Sequence, residues 1–228
     1  MGSESVLLVA HGSRDPRAQA TTRALARAVA AVRPGLDVRV AFLEQVAPQP
    51  AAVLATMAAG TVVVPLLLTK AFHGAVDLPA QVAGFDCVVA DTLGEPSELL
   101  LTALTRRLPR EPFDGLVLAA AGTRVPEARE TVERVALALS GRLGVPCAVG
   151  YAAGATPCGA SAVDGLRARG ARAVAIASYF LAPGRLYDLV TSSALGAGAV
   201  AAAPPLGASW QMAELILDRI DACVPALA

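Results

Sequence analysis

Residues 5–17 read SVLLVAHGSRDPR. The run SVLLVA is apolar almost throughout and rich in valine and leucine, which suits a parallel strand buried on both faces. It ends at His11 and Gly12. Asp15 followed by Pro16 is then a start signal for a helix over 16–32, PRAQATTRALARAVAAV, with Leu25, Val29 and Val32 at helical spacing. The same alternation continues along the chain. Residues 36–43, 61–68, 86–90, 115–120, 146–151, 173–180 and 197–201 read as further strands, with helical stretches between them. Repeated strand–helix units predict an α/β fold with parallel sheets and right-handed crossovers.

The chain also repeats itself. HGSRDPRAQATTRALARAV (11–29) lies over AGTRVPEARETVERVALAL (121–139), placing Gly12 on Gly122, Arg14 on Arg124 and Pro16 on Pro126. LLLTKAFHGAVDLP (66–79) lies over ASYFLAPGRLYDLV (177–190), with Asp77 on Asp188. Two matches at nearly one offset imply tandem duplication. The expected domains are two similar α/β/α units, 1–112 and 113–228, joined near the polar, proline-containing segment LPREPFDG (108–115).

Composition narrows the function classes. Lysine plus arginine equals aspartate plus glutamate, 19 each in 228 residues, so no global field attracts nucleic acid and an anionic partner must be held by local arginines. No long uncharged apolar stretch reads as a membrane span, and the start has no signal-peptide pattern, so a cytoplasmic chain is expected. The four cysteines, Cys87, Cys147, Cys158 and Cys223, show no C-x-x-C spacing. They argue against a disulfide framework or an iron–sulfur cluster. Tyr179 and Trp210 read as core or wall residues.

In open parallel sheets, ligands bind outside the carboxyl ends of the strands. His11 ends the first strand, Glu44 the second, in VAFLEQVAP (40–48), and His73 follows the third. Adjacent strands lie about 4.8 Å apart, so side chains at their tips can converge on one ion. Two imidazoles and a carboxylate suit a borderline divalent first-row metal and leave coordination positions open. A single strand-end histidine is most often an ordinary loop residue. Here both histidines of the chain stand at such ends, and the second half provides a control: Ala121 falls at His11, Gly184 at His73, and YAAGATP (151–157), opposite Glu44, holds no acid. The pattern points to one metal site, in the first half.

LLVAHGSRDPRA, AFLE and LLLTKAFHGAVDLP, in this order and spacing, resemble the sirohydrochlorin chelatase family of cobalamin and sirohaem biosynthesis. The likeness is strongest over residues 5–80, and the second half is similar to the second domain of the long, duplicated members. It implies a class II chelatase fold of two α/β domains with a cleft between them. It also implies ATP-independent insertion of cobalt(II) or iron(II), or nickel(II) in archaeal relatives, into sirohydrochlorin, with the metal as substrate and no organic cofactor. The family's metal residues fall on His11, Glu44 and His73. Ala71 stands where many members carry a glycine. A tetrapyrrole partner follows from the same resemblance, and the duplication implies a functional monomer, since the second half can replace a partner subunit; charge and hydropathy point to no nucleic-acid or membrane partner.

Such a reaction removes two pyrrole N–H protons as the metal enters. Histidine supplies both a neutral metal ligand and a base near operating pH. His11 and His73 are therefore the expected catalytic pair, and which of them takes a proton is left open by the sequence. Arginine binds rim carboxylates bidentately, which makes Arg14 the first substrate-binding candidate, with Ser13 and then Lys70, Arg124 and Arg185. Two other readings compete. A metal or tetrapyrrole carrier would use the same ligands. A phosphohistidine enzyme of the phosphoglycerate mutase type needs an arginine directly before the histidine, where Ala10 stands.

Overall fold

The computed structural model describes residues 4–70 and 77–223. The chain forms two compact units, one from Met1–Leu93 with Gly207–Ala228 and the other from Gly94–Leu206.

In the first unit, β1 (Ser5–Ala10), β2 (Asp37–Phe42), β3 (Thr61–Pro65) and β4 (Cys87–Val89) form a parallel sheet in the order β2-β1-β3-β4. Its central strand β1 pairs Val6 with both Val38 and Val62. Val6, Leu7, Leu8 and Val9 are all fully buried, as a near-continuous apolar run requires. Hiding each leucine stabilises the fold by about 1.5–3 kcal/mol. Leu7, Val9, Ala41 and Val63 pack with Leu54 of α2 (Pro50–Leu54) and with Leu78 and Val82 of α3 (Leu78–Val82). The opposite face is covered by α1 (Pro16–Val32) and by α8 (Trp210–Asp221), the last helix of the chain, which adjoin each other.

The second unit repeats the plan. The strands β5 (Gly115–Ala120), β6 (Cys147–Tyr151), β7 (Val174–Tyr179) and β8 (Ala201–Ala202) lie parallel in the order β6-β5-β7-β8. Val117, Ala119, Val174 and Ile176 pack on α6 (Gly159–Ala168) and α7 (Arg185–Gly196) through Val163, Leu166, Val190 and Ala194. The helices α4 (Glu98–Thr105) and α5 (Pro126–Leu143) adjoin each other, α4 beside β7 and α5 beside β5 and β6. The parallel α/β architecture expected from the sequence is thus present twice.

Differences from the expected elements have local causes. The third strand stops at Pro65 rather than residue 68, and Leu66 N–H then makes a closing bond to Val9 O at 2.8 Å. The eighth strand is Ala201–Ala202 rather than 197–201, because α7 runs on to Gly196 and caps through Ala197 and Gly198. Of the two residues read as core or cleft wall, Trp210 is 58% exposed at the first turn of α8 and is not core, whereas Tyr179 is buried with its hydroxyl donating to Gly94 O at 2.7 Å. The compact units also divide the chain elsewhere than the sequence halves 1–112 and 113–228. Each half hands over its final helix: α4 belongs to the second unit and α8 to the first.

Candidate metal centre

The centre begins where the sheet of the first unit runs out. Past the last paired residues of β1 and β2 the parallel ladder continues for two more bonds, Leu43 N–H to Ala10 O at 3.0 Å and Glu44 N–H to His11 O at 3.1 Å. These bonds set Glu44 directly beside His11. His11 Nε2 and Glu44 Oε1 are 3.2 Å apart, and the two side chains are 40% and 48% exposed, so an ion can reach them from solvent.

Gly12 makes the approach possible. Its φ is +98°, and a Cβ there would stand 1.9 Å from Glu44 O, so no other residue fits without moving the strand end. The loop after Glu44 closes tightly. Val46 N–H donates to Glu44 O at 2.8 Å, and Phe42 N–H donates to Pro48 O at 2.9 Å. Gln81 of α3 braces it by donating to Leu43 O at 2.9 Å. Gln45 sits at φ +66° inside this loop, and its Nε2 donates to Glu44 Oε1 at 3.2 Å. Sequence reasoning singled out neither Gln45 nor Gln81. The signal that could have found Gln45 is the glycine opposite it in the repeat, Gly154.

The donor pair suits a divalent cation. Imidazole nitrogen and carboxylate oxygen each bind such ions at about 2.0–2.2 Å, so two donors sharing one ion at adjacent positions lie about 3.0–3.4 Å apart. The spacing of His11 Nε2 and Glu44 Oε1 falls in that interval. His73 and the adjoining Ala71 lie outside the described residues. Among the described residues no group of three or more His, Cys, Asp or Glu side chains comes together as a metal site.

The second unit shows the same scaffold without the donors. Ala153 N–H bonds to Ala121 O at 3.0 Å, as Glu44 does to His11, and Tyr151 N–H bonds to Pro157 O at 2.9 Å. Gly122 has φ +87°, and a Cβ there would stand 1.8 Å from Ala153 O. Ala121 and Ala153 are therefore the structural counterparts of His11 and Glu44. At the third strand, Val62 stands beside Val6 as Ala175 stands beside Leu116. The expected pairing of Gly184 with His73 falls outside the described residues.

The remaining candidates distribute as follows. Ser13 uses its hydroxyl to accept from Asp15 N–H at 3.1 Å, and its carbonyl accepts from Gln19 Nε2 at 3.2 Å. Asp15 caps α1 by accepting from Arg17 N–H at 2.9 Å, and the Arg17 side chain holds its carboxyl below the usual range. Arg14, between them, is exposed. Lys70 Nζ lies 3.1 Å from Asp91 Oδ1 in a largely exposed pair, which solvent screens. In the second unit, Arg124 is exposed at the bend after β5 that matches Arg14. Arg185 is exposed as the first residue of α7, at the carboxyl end of β7, beside the exposed Leu186 and Leu189. Tyr187, between those leucines, is fixed inward by an edge-on contact with Phe180 and by donating to Ala203 O at 3.2 Å.

A family model described as CbiX matches residues 5–111 and again 115–223. Similar solved structures include SirB from Bacillus subtilis with Fe3+, at 20% identity and TM-score 0.83, with 98% of each chain covered. Another is the sirohydrochlorin chelatase SirB from Bacillus subtilis subspecies spizizenii in complex with cobalt, at 19% identity and TM-score 0.79, covering 96% of this chain and 94% of that one. A third is CbiX, described as the terminal enzyme for biosynthesis of siroheme in denitrifying bacteria, at 25% identity and TM-score 0.70, covering 96% and 99%. No curated protein matches the chain. The two matched segments follow the two halves in which the strand-end scaffold recurs, and the chain belongs to the CbiX family, carrying the family's domain twice in tandem.

Proposed function

We propose that the protein is a sirohydrochlorin chelatase that inserts cobalt(II) or iron(II), without ATP. The observation that carries this reading is the His11 Nε2–Glu44 Oε1 pair, 3.2 Å apart at the carboxyl ends of adjacent strands in a CbiX-family chain. Similar folds that hold Fe3+ and cobalt support it.

In this reading His11, Glu44 and His73 receive the incoming metal as substrate. The imidazoles bind it neutral, and the carboxylate offsets its charge. As the metal passes to the macrocycle, two pyrrole N–H bonds break. One of the histidines accepts a proton, and the other proton leaves to solvent or to Glu44. Arg14 at the first helix start and Arg124 at its counterpart bind rim carboxylates, with Ser13 and Lys70 as further polar contacts. Arg185 with Leu186 and Leu189 offers one cation beside apolar surface, which matches a flat macrocycle with a charged rim. The same reading has a cytoplasmic monomer that needs no organic cofactor. Among the described residues no helix is long and apolar enough to cross a membrane.

The test is to incubate the protein with sirohydrochlorin and cobalt(II) or iron(II) and follow the visible spectrum. Insertion faster than the spontaneous reaction is expected. A spectral shift on binding without acceleration would instead mark a carrier.

A further inference from the structure

We propose that Gln45 is a positioning residue for Glu44, and that glutamine stands at this left-handed backbone position because its amide holds the carboxylate beside His11. This rests on the reading of His11 and Glu44 as the metal-receiving pair.

Among the described residues, Gln45 is the one non-glycine residue with positive φ, at +66°. Such a conformation costs a residue with a Cβ about 1–2 kcal/mol, and glutamine lacks the short side chain that lets asparagine or aspartate relieve it. The loop itself does not require glutamine. The equivalent position in the second unit is Gly154, at φ +68°. There the loop closes through the same bond, Tyr151 N–H to Pro157 O, at the same 2.9 Å as Phe42 N–H to Pro48 O. Glycine therefore builds an equivalent loop without strain. The two loops differ in what precedes the strained position: Ala153 before the glycine, Glu44 before the glutamine.

What the side chain adds is a hydrogen bond. Gln45 Nε2 donates to Glu44 Oε1 at 3.2 Å, the same oxygen that stands 3.2 Å from His11 Nε2. Only the NH2 end of the amide can face a carboxylate, since the carbonyl end would repel it. Oε1 is thus held between two nitrogens, and Glu44, nearly half exposed, is kept from swinging into solvent. The strain is tolerated where a donor must be pre-oriented and is absent where the donor is missing, a distribution that fits strain stored at a functional site. Outer partners of metal-binding carboxylates act in this way.

Two variants separate the backbone from the amide. Gln45→Gly removes both the strain and the hydrogen bond. Gln45→Met keeps the Cβ and the side-chain length but removes the donor. Cobalt(II) affinity of the full chain, by titration calorimetry, is expected to fall about tenfold in both variants. The melting temperature is expected to rise about 2–4 °C in Gln45→Gly and to stay near wild type in Gln45→Met. A purely structural role would move affinity and stability together. Wild-type affinity in either variant overturns the proposal. His11→Ala and Glu44→Ala are measured alongside. If they lose cobalt binding while the Gln45 variants keep it, only the positioning role fails. If they too bind cobalt as wild type does, the metal-receiving pair itself is wrong.

Discussion

At the scale of single residues, Gly12 and the backbone carbonyl of Glu44 make one close approach that sets the strand end of the site. Gly12 has φ +98°, and a Cβ there would stand 1.9 Å from Glu44 O, whereas at Gly35, φ +99°, it would meet nothing within 4 Å. Gly12→Ala and Gly35→Ala therefore share the backbone strain of about 1–2 kcal/mol and differ in the clash. Chemical unfolding is expected to show Gly12→Ala as clearly the more destabilised of the two, and Gly12→Ala alone should weaken cobalt binding. Equal losses in the two variants would mean that the strand end shifts freely. His11 and Glu44 were legible in the sequence because strand ends are marked by where apolar runs stop. The left-handed turn at Gln45 was legible only through Gly154, the glycine opposite it in the repeat, because the local propensity of glutamine does not encode it.

At the scale of elements, β1, β5 and α1 follow the bounds read from sequence, since long apolar or periodic runs stop there at clear signals. The weak elements failed where the text is alanine and glycine, as in β8, because neither a period of two nor one of 3.6 stands out. Helix ends also set chemistry that composition alone leaves flat. Cys158, at the N-cap position of α6, is exposed and has its thiol pulled below the ordinary range, chiefly by the Ser161 hydroxyl 3.2 Å away. Cys147, in the edge strand β6, is pushed up to about 12 by burial, and burial also raises Cys87 and Cys223. The thiolate is the nucleophile, so alkylation near neutral pH is expected to modify Cys158 first and Cys147 last. Peptide mapping after a short exposure to iodoacetamide checks this order, and initial modification of Cys147 would contradict it.

At the scale of the whole molecule, duplication was legible because turn residues recur at fixed offsets, Gly12 with Gly122 and Pro16 with Pro126. The exchange of final helices was not. Amphipathicity shows that α4 and α8 must each cover an apolar face, but not whose. The structure gives α8, with Met212, Leu215, Ile216 and Ile220 buried, to the sheet of the first half. One copy keeps His11 and Glu44, and the other keeps the same backbone with Ala121 and Ala153. That asymmetry makes the central claim sharp, since removing one imidazole should empty the site without touching the scaffold. The decisive measurement is the rate of cobalt(II) insertion into sirohydrochlorin by His11→Ala, beside its circular dichroism spectrum. A native-like spectrum with a rate at least about 100-fold below wild type is expected; near-wild-type turnover by the folded variant would contradict the assignment.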